Sequence, residues 1–155
     1  MPNIVLYEPQ IPQNTGNIAR TCAVTGSALH LIKPYGFSVS NKALKRAGLD
    51  YWSEVKVFEY EDFDEFLSKK KDGDIYLLTS KANKPYTEVF FKNNDYIVFG
   101  SETAGLPDNI HQRFPGNRLK IPMRPTENAR CLNLSNAVAL VLYEALRQLN
   151  FDGLS

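Results

Sequence analysis

The sequence predicts an α/β fold, a mainly parallel sheet with helices on both faces. Three observations carry this. Short apolar runs alternate along the chain with segments of helical period. Two of the runs, Asp74–Thr79 and Tyr96–Gly100, are apolar at successive core positions, as in strands buried on both faces. Gly, Pro and polar residues punctuate the runs at intervals that suit strand–helix units.

In order, Asn3–Tyr7 reads as a first strand closed by Glu8-Pro9. A helix is expected to begin near Thr15, with Ile18, Ala19, Cys22, Ala23 and Thr25 on its small-to-apolar face and Gly26 as its stop. Ala28–Ile32 reads as a second strand, ended by Lys33-Pro34-Tyr35-Gly36. Ser40–Arg46 looks like a short, capped, basic helix followed by Gly48. Val55–Phe58 is a brief strand. Asp62–Lys70 is an amphipathic helix with its acids early and its lysines late, which complements the helix dipole. Leu106–Arg113 is a short helix opened by Pro107. Leu119-Lys120-Ile121 ends a strand, because Pro122 cannot donate to a ladder. The polar loop Pro122–Asn133 follows, then a helix over Ser135–Leu149 headed by Asn133, Ser135 and Asn136, all capping residues. This last helix is apolar on nearly every face, so something must cover it: a second subunit, or an unusual threading of the chain. Lys33–Asn41, Ser80–Thr87 and Pro122–Asn133 are the long loops, the places where function is expected.

The 155 residues fit one domain, spanning 1–155, with a sizeable core. A formal net charge of +1 does not announce a nucleic-acid binder, so any such surface must be local or assembled from several chains. Two cysteines, Cys22 and Cys131, are too few for a disulfide scaffold and suit a reducing, cytoplasmic setting. No apolar run approaches the roughly 20 residues of a membrane span, and the first residues read as a strand and not a signal peptide. No metal-ligand spacing is present.

Three polar constellations remain. The first is Asn14–Arg20, either a capping Asn with a solvated Arg, or a guanidinium partly buried between Ala19 and Ala23 that requires an anionic partner. The second is Gly100-Ser101-Glu102-Thr103-Ala104-Gly105-Leu106-Pro107, directly after a strand, where Gly lets a ligand approach the backbone and Glu102 either caps the next helix or serves the site. It is neither a dinucleotide fingerprint nor a phosphate loop. The third is Cys131-Leu132-Asn133-Leu134-Ser135-Asn136, a capping region whose thiol, taken alone, is a small hydrophobe.

Together the three are far more specific than any one. Asn14 and Arg20, then FGSETAGLP, then IPM and ARCLNLSNAVALVLYEA resemble the SPOUT superfamily of RNA methyltransferases. The chain is most similar to its YibK-like branch of small tRNA 2′-O-methyltransferases, which act on the wobble nucleotide, a cytidine or modified uridine. The resemblance covers nearly the whole chain and implies a C-terminal deep trefoil knot, a rare exception to the rule against threading. It implies a homodimer that buries the last helix and the Asn14–Cys22 helix, and a bent S-adenosyl-L-methionine (SAM) held in the knot. Carried over residue by residue, it implies that Leu78, Thr79, Gly100, Ile121, Met123, Cys131 and Leu132 bind the cofactor. It implies that Asn14, Arg20, Glu102 and Asn133 position or activate the ribose hydroxyl. Cys131 departs from the family, where Ser is common; a thiol is the poorer hydrogen-bond partner.

For transfer to a 2′-hydroxyl, alignment of oxygen, carbon and sulfur supplies most of the barrier reduction. Arg20 is expected to stabilise the developing alkoxide or hold the adjacent phosphate, and not to act as a base, since arginine keeps its proton. The chemistry needs no metal. Lys42, Lys45 and Arg46, with Arg124 and Arg130 near the pocket, are the residues expected to grip tRNA. A Cβ at Gly100 is expected to enter the cofactor's space. Two other readings fit part of the pattern: an RNA-binding protein of the same fold without activity, and a 2′-O-methyltransferase of another RNA. Intact Arg20, Glu102 and Asn133 favour catalysis.

Overall fold

The computed structural model describes residues 1–38, 42, 44, 46, 51–128 and 131–155. The strands are β1 (Asn3–Tyr7), β2 (Leu29–Ile32), β3 (Val57–Tyr60), β4 (Ile75–Leu78), β5 (Lys84–Pro85), β6 (Tyr96–Phe99) and β7 (Arg118–Lys120). They form one sheet in the order β3-β2-β1-β6-β4-β7-β5. Every pairing is parallel.

Side chains alternate across this sheet, as the pleat requires. On one face Ile4 and Leu6 of β1, Tyr76 and Leu78 of β4, and Ile97 and Phe99 of β6 share a core with helices α1 (Pro12–Thr25) and α4 (Leu134–Gln148). On the other, Val5, Ile75, Leu77, Tyr96 and Val98 pack against Phe63 and Phe66 of α2 (Phe63–Lys69) and Ile110 of α3 (Asp108–Arg113). The sheet is therefore covered on both sides.

Each helix has a local reason for its limits. Asp62 caps α2 by accepting from the Glu65 N–H at 2.7 Å. Gly26 ends α1 at φ 75°, a conformation that suits only residues tolerating the left-handed region. Asn133 caps α4, accepting from the backbone N–H groups of Ser135 and Asn136. Helix α1 differs from expectation: it starts at Pro12, not near Thr15, and Ile11 at its N-cap offers no side-chain bond. The expected loop Ser80–Thr87 holds the two-residue edge strand β5, where Pro costs nothing because no further strand needs its N–H. In the expected basic helix, Lys42 and Arg46 are helical and exposed and Leu44 is helical and buried. Ser40, Asn41, Lys45 and Gly48 lie outside the described residues, as does Arg130.

Within this chain α4 buries only one face, through Val138, Val141, Leu142, Ala145 and Leu146. Leu140 and Tyr143 on its outer side are 41% and 43% exposed, and Val24 of α1 is 53% exposed. No helix among the described residues is long and apolar enough to cross a membrane.

Candidate active site

Strands β4, β6 and β7 end side by side, and the segments leaving them wall a cavity of about 630 Å³. Leu78 and Thr79 come from the end of β4, Phe99 and Gly100 from the end of β6, Ile121 and Met123 from beyond β7. Cys131, Leu132, Asn133 and Ala137 close it from the C-terminal side, and Ile11 and Asn14 from the start of α1. This is the carboxyl edge of a parallel sheet, where α/β proteins bind ligands. The volume lies in the range of small-molecule and cofactor sites, and the lining mixes apolar walls with a few convergent polar groups. All seven residues expected at a cofactor line this one cavity, and so do Asn14, Glu102 and Asn133.

Those three polar residues form a single hydrogen-bonded chain. The Glu102 carboxylate accepts from the Gln10 N–H at 3.0 Å, the Ile11 N–H at 2.9 Å and Asn14 Nδ2 at 3.1 Å. Asn14 Oδ1 accepts from Asn133 Nδ2 at 3.0 Å. Asn133 Oδ1 in turn receives the N-terminal N–H groups of α4. Asn14 is only 6% exposed, so this bonding satisfies an otherwise costly buried amide. Its orientation follows from chemistry: a carboxylate only accepts, so the amide nitrogen must face Glu102. Glu102 does not cap the helix that follows it. It reaches back to the start of α1, where it holds the backbone of Gln10 and Ile11 leading into the helix and places its charge on the positive end of the helix dipole. Ser135, already named with Asn133 as a capping residue, joins this network, and so does Gln10, which motif reasoning misses; its link appears only once the segments are folded together.

Gly100 lines the cavity and is also required by the protein's own backbone. A Cβ there would lie 2.3 Å from the Gly105 carbonyl carbon and 2.5 Å from the Leu106 nitrogen. It would strike the protein's own backbone. The turn from Ser101 to Gly105 folds back onto Gly100, held by reciprocal bonds between the Ser101 and Gly105 backbones at 3.3 and 3.0 Å.

Arg20 does not line the cavity, and of its two readings the solvated arginine holds, not the partial burial between Ala19 and Ala23: it is exposed. Ala19 turns into the core while Arg20, one residue on, turns out. Its guanidinium lies 5.0 Å from the Tyr51 ring centroid, a cation–π contact. Arg124 is exposed on the loop beyond Met123.

His111, which no sequence motif marks, is 4% exposed and lines the cavity behind Thr79. Burial lowers its pKa, helped by the nearby cations Lys81 and Arg118. The two thiols differ. Cys22 is buried in the core, its pKa pushed up to about 12 by desolvation, while Cys131 is exposed at the cavity rim. Among the described residues no cluster of His, Cys, Asp or Glu is placed to hold a metal ion.

Fold and site thus define an α/β protein with a cavity at the sheet's carboxyl edge and a hydrogen-bonded chain of polar side chains in its wall. The chain belongs to the SpoU rRNA methylase family, whose family model matches residues 1–143. A protein of Listeria monocytogenes serotype 4b (strain F2365) is 53% identical over 99% of this chain and 92% of its own length. The Escherichia coli (strain K12) protein named tRNA (cytidine(34)-2′-O)-methyltransferase is 47% identical over 99% of this chain and 97% of its own. A solved structure described as giving insights into the 2-OH methylation of C/U34 on tRNA superposes with a TM-score of 0.92, at 43% identity over 97% of both chains.

Proposed function

We propose that this protein methylates the 2′-hydroxyl of the wobble nucleotide, position 34, of tRNA, using SAM. The observation that supports the reading is coincidence: in a chain similar to such an enzyme along nearly its whole length, the residues expected at the cofactor and at the ribose, Arg20 excepted, line one cavity. The cavity fits the cofactor chemically. Leu78, Phe99, Ile121 and Met123 give apolar walls for an adenine, and the strand-end backbone at Thr79 and Gly100 offers polar groups for its edges and ribose. When bound, SAM supplies the electrophilic methyl group.

The residues of this chain position the other reactant. Glu102 has three donors already in place, so it acts as the anchor of Asn14 and not as a free proton acceptor. Asn14 and Asn133, each fixed at both ends of the amide, hold the rim in the geometry the ribose meets. Arg20 works from a second subunit. Its exposure on α1, beside the uncovered apolar residues Val24, Leu140 and Tyr143, supports a homodimer packed through α1 and α4. There the guanidinium stabilises the developing alkoxide or clamps the adjacent phosphate. A trefoil knot in the C-terminal segment is part of the proposal, supported by β7 sitting between β4 and β5 in the sheet. Lys42, Arg46 and Arg124, all exposed, grip the tRNA backbone, with Lys45 and Arg130 assigned to the same task from the sequence. The setting is cytoplasmic.

The test is methyl transfer from radiolabelled SAM to unfractionated tRNA, followed by nuclease mapping. Label at the ribose of nucleotide 34 is expected. Label confined to ribosomal RNA, or no transfer at all, would overturn the reading. Arg20→Ala should abolish turnover while S-adenosylhomocysteine binds normally.

A further inference from the structure

A second, smaller groove opens on the same carboxyl edge of the sheet, beyond β2 and β3. It has a volume of about 490 Å³ and is lined by Lys33, Tyr35, Phe37, Glu59 and Glu61 among others. Nothing in the methyl-transfer chemistry uses it. Tyr35 and Phe37 are stacked, with ring centroids 5.4 Å apart and planes 22° from parallel. The Tyr35 hydroxyl is buried and makes no well-formed hydrogen bond, although the charges of Glu59 and Glu61 reach it. Burial and those two charges raise its pKa, so it remains a donor. Glu59 and Glu61 are exposed at the rim, and Lys33 pairs with Glu61 at 3.2 Å.

Gln10 links the wall of this groove to the wall of the first cavity. Gln10 Nε2 donates to the Glu8 carbonyl at 2.8 Å and to the Pro34 carbonyl at 3.5 Å, and the Gln10 backbone N–H donates to Glu102. One residue therefore separates the two spaces. With a ribose at Glu102 and Asn14, a neighbouring nucleotide has this groove within one residue's reach.

We propose that this groove is the subsite for the base of a nucleotide flanking the methylated ribose, and that it selects a base carrying an exocyclic amino group. The observations that carry this are the aromatic pair, the carboxylates at the rim and the bridge through Gln10. Aromatic faces accept any base by stacking. Carboxylates add selectivity, because they only accept: cytosine, adenine and guanine present an amino donor, whereas uracil presents only a ring N–H between two carbonyls. Two exposed acids would repel a phosphate at this spot, which argues for a base and against the backbone. The inference rests on the tRNA-methyltransferase reading.

The experiment uses full-length protein and synthetic anticodon stem-loops with each base in turn next to nucleotide 34, and with 2-aminopurine there as a stacking probe. Wild-type kcat/KM is expected to be at least about fivefold higher with an amino-bearing base than with uracil, and 2-aminopurine fluorescence to be quenched on binding. Phe37→Ala should raise KM for RNA by at least about fivefold and relieve the quenching, with kcat at saturating RNA and S-adenosylhomocysteine affinity unchanged. Glu59→Ala/Glu61→Ala should erase the preference among bases. Those acids are exposed on a sheet edge, so this variant folds whatever the fate of Phe37→Ala. Methylation at nucleotide 34 with no preference at either flank, or a preference that survives both variants, overturns the inference alone. Absence of transfer to any tRNA by the wild type overturns it together with the proposed function.

Discussion

Glu102→Ala tests whether a residue in the loop after β6 organises the start of α1. In the native chain the carboxylate serves two backbone N–H groups and the Asn14 amide, two of the three contacts being part-buried. Helix α1 has no cap of its own and no acidic residue in its first turn. A hydrogen bond to a charged acceptor contributes about 1.5–3 kcal/mol. The site is open at one side, so water recovers part of this. The expected loss is about 2 kcal/mol, which for a chain of this size lowers Tm by roughly 4–8 °C. Asn14→Ala removes one of the same contacts, so the two changes must be non-additive, with a coupling of about 1 kcal/mol. Urea denaturation of the wild type, both single variants and the double variant measures that coupling. Glu102→Gln should fall between, since an amide oxygen still accepts but its nitrogen then faces donors. A double variant whose loss equals the sum of the singles would refute the view of Glu102 as an anchor of Asn14.

Three further outcomes are expected. Gly100→Ala should cost about 1–3 kcal/mol and weaken S-adenosylhomocysteine binding, because its Cβ meets the Gly105–Leu106 backbone and that turn must move; unchanged Tm and calorimetric affinity would contradict the clash. Stability should fall in acid through His30. Burial holds its pKa down to about 4 from 6.5, and the Asn3 amide, whose nitrogen donates to the Asn94 carbonyl, turns its oxygen to accept from Nε2–H. The unfolded chain therefore binds the extra proton between pH 6.5 and 4, so up to about 3 kcal/mol is present above pH 6.5 and is lost as pH falls toward 4. Urea midpoints across that window should flatten in His30→Phe, with His111, also lowered by burial, contributing in the same direction. Finally, wild-type protein should sediment as a dimer at micromolar concentration and Leu140→Glu as a monomer, because that side chain projects from the uncovered face of α4; an active wild-type monomer would remove the shared-site picture.

Much of this was legible in the chain. Strands β1, β4 and β6 are written as apolar runs, and the capping residues Asp62 and Asn133 announce their helices. What escaped local reading is non-local. Helix α1 begins at Pro12 with no side-chain cap to announce it, and the carboxylate that holds its lead-in, Glu102, comes from about ninety positions away in sequence, as the Ile11 bond shows. Arg20 sits between two alanines in the sequence, but a helix sends neighbours to different faces, and Ala19 rather than Arg20 faces inward. Gly100 lines the cavity, but the turn that crosses it, a second reason for glycine there, could not be read locally. Strand β5 has only Lys and Pro, so no hydrophobic period could reveal it.

The position of β7 has a consequence for the order of assembly during synthesis. Strands β1, β2, β3, β4 and β6 are all made, and can all pair, before residue 118 leaves the ribosome. Strand β5 cannot, because its partner is β7. The cavity draws its last wall from residues 121–137, so a nascent chain stopped before β7 has most of a sheet and no cofactor site. A ligand of this cavity can therefore stabilise only a chain that extends past these residues, and a chain released before β7 should be cleared by proteases that such a ligand does nothing to restrain.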